Sequence, residues 1–385
     1  MKTVFVGLSG GVDSSVAAAL LKEQGYRVVG VYMKNWSRDL PGMPCPWKDD
    51  YQDAKRVAVQ LGIEFKMYDF EKDYQRKVVD YMLAEYRAGH TPNPDIMCNQ
   101  EIKFKLFLQT ALEDGADYIA TGHYARIVKG LTSHRLLMAK DANKDQTYFL
   151  YRVTEEALKK TIFPLGGLTK PEVRKLASKY KLVTADKKES MGICFVGKVG
   201  IKDFLSQYIK AKPGEIINQR GESVGQHDGA IFYTVGQRHG LDVGGGLPYY
   251  VVGKDMKKNQ VYVTTDLQDE RLWSNTIRLV DVHWINGPPT FQGRALENLE
   301  NLENLMVRTR HRAKLIPIKL LNLTKISAKS YGTSKFTRQS FSETSGRSSN
   351  SEWVVELDEE VRALTPGQSA VIYSGEQVLG GGIVV

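Results

Sequence analysis

Apolar positions Val4, Phe5 and Val6 form a short run that breaks into glycines and serines, and Val16, Ala17, Ala18, Leu20 and Leu21 then follow at helical spacing. A β-branched run from Arg27 to Met33 comes next, and Ala54, Val57, Ala58 and Leu61 mark a helix within Asp49 to Leu61. Glu64 to Phe70 is again extended, so the start of the chain reads as a βαβ progression. A helix over Asp73 to Arg87, a loop through Thr91-Pro92-Asn93-Pro94, a helix near Ile102 to Leu112 and a strand from Asp117 to Ala120 continue it. The pattern predicts an α/β fold with a doubly wound parallel sheet over residues 1–200. Beyond it, Ala230 to Thr234, Tyr249 to Val252 and Gln260 to Thr264 predict strands of a small β-rich central module, 201–275, with Gly244-Gly245-Gly246 as a turn. A further β module is expected over 276–385, starting near Thr276. Two stretches inside it, the triplet repeat from Glu297 to Leu305 and the Ser/Thr-rich Ser327 to Ser351, fit no regular period and read as loops or partly disordered insertions.

Ligands of doubly wound sheets sit at the carboxyl ends of the strands, and three features fall there: the loop at 9–15, Met33, and Gly122 in Thr121-Gly122-His123. The loop reads Ser-Gly-Gly-Val-Asp-Ser-Ser between a strand and a helix, which is a place to hold phosphate. Gly10 and Gly11 let the backbone approach an anion, and Ser9, Ser14 and Ser15 offer hydroxyls where the first helical amides have no partner. No Gly-Lys-Ser/Thr follows, which excludes a Walker loop, and the glycines lack dinucleotide-fingerprint spacing. Asp13 is an unusual neighbour for phosphate unless magnesium bridges the two; the plainer reading makes it a helix cap.

At 385 residues the chain is expected to hold two or three domains. No apolar stretch has membrane-spanning length, and the N-terminus runs directly into a strand without room for a signal peptide, so a cytoplasmic location is expected. The net charge of +9 is concentrated: Arg308, Arg310, Arg312, Lys314, Lys319, Lys325, Lys329, Lys335, Arg338 and Arg347 face a single acid, Glu343. Such a cluster favours a polyanion, RNA being the natural candidate beside a nucleotide loop, although a solvated charged face is the simpler alternative. Cys45, Cys98 and Cys194 are far apart in sequence and form no Cys-x-x-Cys pair, which argues against a local zinc or iron-sulfur module but leaves distant thiols free to converge.

The loop resembles the PP-loop signature of ATP pyrophosphatases, which split ATP between the α and β phosphates. Together with Asn93-Pro94-Asp95-Ile96-Met97-Cys98-Asn99, Ala120-Thr121-Gly122-His123-Tyr124, Lys144-Asp145-Gln146, Gly192-Ile193-Cys194-Phe195 and Thr365-Pro366-Gly367-Gln368, it makes nearly the whole chain resemble the tRNA-specific 2-thiouridylases. The resemblance implies an adenine-nucleotide α-hydrolase-like first domain and a C-terminal β-barrel-like domain that meets tRNA. It implies replacement of the 2-carbonyl oxygen of a wobble uridine by sulfur, after ATP has converted that oxygen into a leaving group. ATP, with Mg2+ bound to it and no metal held by the protein alone, would rest on Gly7, Leu8, Ser9, Gly10, Gly11, Val12, Asp13, Ser14, Met33 and Gly122.

By the same resemblance Cys194 carries a persulfide delivered by a sulfur-relay protein, Cys98 is the resolving nucleophile, and the two end a turnover as a transient disulfide. Asp95 is the implied general acid/base, and Asn93, Pro94 and Asp95 touch the target base. His123, Lys144, Asp145, Gln146, Arg310, His311 and Gln368 are the implied tRNA contacts. Two positions depart from the family pattern: Met191 stands where a small hydroxyl residue is usual, and His311 replaces a common aromatic.

Each residue also has a plainer reading. Asp95 after Asn-Pro can simply start a turn, His123 can be a satisfied polar group at a strand end, Cys194 can be a small core residue, and Cys45 reads as a non-catalytic thiol. Two rival functions remain at this level: an AMP-forming synthetase acting on a small molecule, and an RNA-binding relative without catalysis. The first needs neither two placed cysteines nor a basic C-terminal domain. Intact Asp13, Asp95, Cys98 and Cys194 speak against the second.

Overall fold

The computed structural model describes residues 1–39, 45–130, 133–188, 200–244, 246–288, 290–291, 294–295, 299–300, 305–325 and 351–385. Strand β1 (Thr3–Gly7) leads through the glycine-serine loop into helix α1 (Val12–Glu23). β2 (Arg27–Lys34), α2 (Trp47–Leu61), β3 (Glu64–Asp69) and β4 (Tyr118–Ala120) follow. With β7 (Thr161–Ile162), these strands make a parallel sheet in the order β3-β2-β1-β4-β7. Period-two alternation divides its side chains cleanly. Val4 and Val6 pack with Val28, Ala18, Leu21, Ala54 and Ala58 on the face covered by α1 and α2. Phe5, Val29, Val31 and Ile119 face Tyr74, Val78, Met82, Ile102 and Phe107 on the other. Both faces are therefore buried, as a parallel sheet requires.

The helix expected near Ile102 begins earlier. Pro94–Met97, Cys98–Phe107 and Leu108–Glu113 form one helical run, with Asn93 capping it by accepting a hydrogen bond from the Asp95 amide at 3.1 Å. The Pro-rich entry that reads as loop supplies a proline to the first turn, where it costs no helical bond. The central Cys98–Phe107 section has wide π turns, which blur the 3.6-residue period.

The central module has four strands, Tyr250–Asp255, Gln260–Thr264, Gly214–Ile217 and Ser223–His227, in that sheet order. Ala230–Phe232, expected as strand, is a 3-10 turn whose Ala230 and Ile231 are buried; apolar content there reflects packing rather than pleating. The last module is a barrel of Trp273–Trp284, Ser351–Arg362, Ile316–Lys325, Leu305–Arg308, Ser369–Ser374 and Gln377–Val384, closed by the pairing of Leu279 with Val384. Leu299–Glu300 pairs with Leu320 and Leu321, so part of the triplet repeat is strand rather than loop. The stretch 327–350 lies outside the described residues.

A hairpin of β5 (Arg126–Lys129) and β6 (His134–Leu137) leaves the first module and adds to the barrel sheet, Leu136 pairing with Val378. One apolar cluster joins Phe107 and Ile119 to Phe204 and Ile231 and to Val371 and Tyr373, so the three modules share a core.

Candidate active site

The loop at 9–14 is built to leave donors free. Gly11 precedes α1 without a side-chain cap, so the first helical amides face the loop. Gly10 has φ +73°, and a Cβ there would overlap the Asp50 carbonyl, so only glycine fits. Ser14 Oγ donates to Gly11 O at 3.1 Å and accepts from the Ser9 amide at 3.2 Å, which folds the loop back on itself. Gly122 at the end of β4 comes so close that a Cβ would lie 2.7 Å from the Ser14 amide. A Cβ on Gly7 would lie 2.9 Å from the Met33 methyl, across β1 and β2. Gly7, Leu8, Ser9, Asp13, Ser14, Met33 and Gly122 open onto one cleft of about 320 Å³, whereas Gly10, Gly11 and Val12 do not line it.

Asp13 is not left facing phosphate alone. Its carboxylate accepts from Lys170 Nζ at 2.7 and 2.9 Å and from Tyr124 Oη at 2.9 Å. The charge that seemed to call for magnesium is balanced by a lysine of this chain. Lys187 similarly spans Asp50 and Asp53 of α2 at 2.8 and 2.7 Å.

The helical run from Pro94 carries Asp95, Cys98 and Lys103, and Lys103 reaches the cleft wall beside His123. Burial disfavours the charged form of Asp95 and raises its pKa, with Lys103 opposing that rise. Burial, followed by Lys103, drives the His123 pKa well below its ordinary value and keeps the ring neutral. The neutral ring sits between Thr121 Oγ1, 2.7 Å from Nδ1, and the Lys103 ammonium, 3.5 Å from Nε2. The ammonium can only donate, so Nε2 accepts and Nδ1–H donates to Thr121. Cys98 is 1% exposed and packs in the shared core.

Cys194 and Met191 lie outside the described residues, as does the pairing of Cys194 with Cys98. The flanks of that segment are placed, however. Lys187 ties the upstream side to Asp50, and Phe204 on the downstream side packs its ring 6.0 Å from Trp36; Asp50 and Trp36 both line the cleft.

The expected tRNA contacts divide. Lys144 is partly exposed, and Gln146 lines the cleft while accepting from the Tyr124 amide at 3.0 Å. Asp145 departs from the expectation: it is 1% exposed, accepts from Arg308 Nη1 at 3.0 Å and from Thr147 Oγ1, and so has no face for RNA. Arg310 is exposed overall, but its Nη2 donates to Ala363 O at 2.7 Å and Val235 O at 3.3 Å, tying the barrel to the central module. His311 sets its ring 4.6 Å from that of Phe149 at a tilt of 43°, and burial lowers its pKa. Gln368 donates to the Thr91 carbonyl, on the loop before Asp95.

Comparison with known proteins agrees in extent. Residues 2–198 match the family described as tRNA methyl transferase HUP domain, 202–265 the tRNA methyl transferase PRC-barrel domain, and 338–384 the Aminomethyltransferase beta-barrel domain. The chain is 44% identical over 382 residues to the tRNA-specific 2-thiouridylase MnmA of Bacillus subtilis (strain 168), covering 99% of this chain and 94% of that protein. It is 45% identical over 391 residues to that of Idiomarina loihiensis, covering 100% and 96%. The chain belongs to the tRNA-specific 2-thiouridylase family. Among solved structures, a 4-thiouridine synthetase–RNA complex with bound ATP is 20% identical with a TM-score of 0.36, covering 54% of this chain and 50% of that one, and is too distant to add to the argument.

Within this thiouridylase-family chain, sequence reasoning passed over Lys103, Lys170, Trp36 and Asp50. Lys103 follows Cys98 by five residues, which was a usable signal once a helix was placed there. Lys170 is distant in sequence and carries no local mark. No helix among the described residues is long and apolar enough to cross a membrane.

Proposed function

We propose that this chain replaces the 2-carbonyl oxygen of a tRNA wobble uridine with sulfur, using ATP to activate that oxygen. As a member of the thiouridylase family it is a tRNA-modifying sulfurtransferase. The observation that carries the mechanism is that the phosphate loop shares its cleft with Lys103, and Lys103 stands on the same helical run as Asp95 and Cys98. A nucleotide held in that cleft and a thiol on the helical run that Lys103 shares are the two halves of an oxygen-for-sulfur exchange.

In this reading Gly7, Leu8, Ser9, Gly10, Gly11, Val12, Asp13, Ser14, Met33 and Gly122 hold ATP, and Asn93 and Pro94 with Asp95 hold the uracil. Mg2+ enters on the ATP phosphates rather than on Asp13, whose oxygens are occupied by Lys170 and Tyr124. The Asp95 carboxyl, desolvated and opposed by Lys103, is suited to exchange a proton with the base. A sulfur-relay protein loads Cys194 as a persulfide, its terminal sulfur attacks C2, AMP departs, and Cys98 resolves the linkage as a Cys98–Cys194 disulfide that is later reduced. Burial of Cys98 means that tRNA binding must open its surroundings. In this reading 1–200, 201–275 and 276–385 act as three functional modules, with Lys144, Gln146, His123, Arg310, His311 and Gln368 on the RNA side and the reaction in the cytoplasm.

The test is the pair of cysteine variants. Cys194→Ser should bind ATP and tRNA yet incorporate no sulfur, whereas Cys98→Ser should load sulfur and stall before multiple turnover. Sulfur incorporation by Cys194→Ser at the wild-type rate would discard the persulfide assignment.

A further inference from the structure

We infer that Arg38, stacked on Trp36 at the mouth of the cleft and joined there by Lys48 on Trp47, binds the backbone phosphates that flank the target nucleotide in single-stranded RNA. The inference rests on the function proposed above and names the part of the tRNA that this rim meets. A uracil cannot enter the cleft without bringing the phosphates on either side of it to the mouth, so the charge at the mouth has to suit a polyanion. Among the described residues that line the cleft, the carboxylates already have cations: Asp13 is paired with Lys170, and Asp50 with Lys187. Of the two cations in that lining, Lys103 is half-buried beside His123, whereas Arg38 is exposed. Among the described residues no carboxylate pairs with Arg38 or with Lys48.

The guanidinium is held in place by a ring that is itself fixed. Trp36 is 6% exposed, its ring centroid lies 6.0 Å from that of Phe204, and its Nε1 donates to the Arg38 carbonyl at 2.9 Å. The Arg38 guanidinium carbon stands 5.4 Å from the centroid of the same indole, so one ring holds both the backbone and the side chain of Arg38. Stacking covers a guanidinium face and leaves the N–H edge for paired bonds to phosphate oxygens. Lys48 repeats the arrangement with its Nζ 6.0 Å from the centroid of the Trp47 ring, and the Trp47 carbonyl accepts from Tyr32 Oη at 3.1 Å. Lys34 also meets that ring but is ion-paired with Asp69 and Glu71. Two acids neighbour the rim cations in sequence: Asp39 gives its carboxylate to the Cys45 amide at 2.8 Å, and Asp49 stands exposed in the first turn of α2. Cations on aromatic platforms, beside a cleft that takes one base, are how proteins hold a single strand by its backbone.

The test is equilibrium binding of an anticodon stem–loop RNA with an unmodified wobble uridine, measured across a range of salt. Loss of one contact to a single-stranded phosphate should make the slope of log K against log salt shallower by roughly 0.7 and weaken binding about fourfold at physiological salt. Arg38→Gln should show that change, Arg38→Lys should restore most of the slope, and Arg38→Gln combined with Lys48→Gln should about double the loss. An uncharged methylphosphonate linkage, placed on one side of the wobble nucleotide and then on the other, should lower the wild-type slope likewise. At the linkage that Arg38 meets, Arg38→Gln should then lose nothing further. Both side chains are exposed, so thermal midpoints should match wild type, as should ATP affinity without RNA. An unchanged salt slope in Arg38→Gln overturns the assignment. Loss of ATP affinity with RNA binding intact overturns it too, since the phosphates met would then be those of ATP. A wild-type protein that binds the stem–loop with this slope but never thiolates it overturns the thiouridylase reading alone, and one that binds no RNA overturns both.

Discussion

Gln368 donates from its side-chain Nε2 to the backbone carbonyl of Thr91 at 2.7 Å, so a loop of the C-terminal barrel holds the segment that leads into Asp95 and Cys98. The Thr91 amide returns a bond to Pro366 O at 2.9 Å, and Gly367 between them approaches so closely that a Cβ would lie 2.8 Å from that amide. The barrel is thus a brace for the helix that carries the candidate chemistry.

Loosening this brace should lower turnover without touching the nucleotide. Gly367 has φ +91°, so Gly367→Ala meets both backbone strain and overlap and is expected to cost about 1–3 kcal/mol. Gln368→Ala loses one hydrogen bond, about 1 kcal/mol. Urea unfolding and steady-state kinetics should show reduced stability and kcat for both, with the KM for ATP unchanged; a raised ATP KM alone would point to the loop at 9–14 instead.

The Asp13–Lys170 pair predicts an asymmetry in nucleotide binding. Lys170→Met leaves a carboxylate facing the phosphates and should raise the KM for ATP by about tenfold or more, a repulsion on the scale of a partly buried like-charge contact. Adding Asp13→Asn to that variant should restore part of the affinity. Equal ATP binding in Lys170→Met and wild type would mean the pair has no part in holding phosphate.

Asp145 should behave as a structural residue rather than an RNA contact. Asp145→Asn strands the Arg308 guanidinium in the core and is expected to destabilise the fold by roughly 3–5 kcal/mol. In the fraction that remains folded, filter binding should give wild-type tRNA affinity and an unchanged salt slope. Lys144→Ala, on the partly exposed neighbour, should weaken tRNA binding and make that slope shallower.

The pH dependence follows from Asp95. Its pKa lies above the ordinary 3.8 because burial penalises the carboxylate, so the base form is lost at a higher pH than for an exposed aspartate. Adenylation should fall as pH drops through that raised value. The stability term has the opposite sign: an acid whose folded pKa is raised favours the fold when protonated and weakens it as pH rises. Asp95→Asn should therefore be catalytically dead yet slightly more stable than wild type at neutral pH, as read by thermal melts at several pH values.

Legibility in the sequence followed the range of the interactions. β1, α1, β2, α2 and β3 could be read because Val4, Val6, Ala54 and Ala58 repeat locally at strand or helix period. The helical run starts at Pro94 and not near Ile102, because its wide turns blur the period that would join Asp95 and Cys98 to Lys103. Ala230–Phe232 looked like strand because buried apolar residues look alike in either geometry. The transfer of Arg126–Leu137 to the barrel depends on Leu136 meeting Val378, a pairing no local pattern announces. The same holds for Asp13 and Lys170, and for Asp145 and Arg308.

The most direct test is mass spectrometry of nucleosides from tRNA incubated with the protein, ATP, magnesium and a sulfide source. The account predicts that the wobble uridine alone gains the mass difference between sulfur and oxygen, in step with AMP release and only when ATP is present. Unmodified uridine alongside ATP consumption, or sulfur appearing at another position, would contradict it.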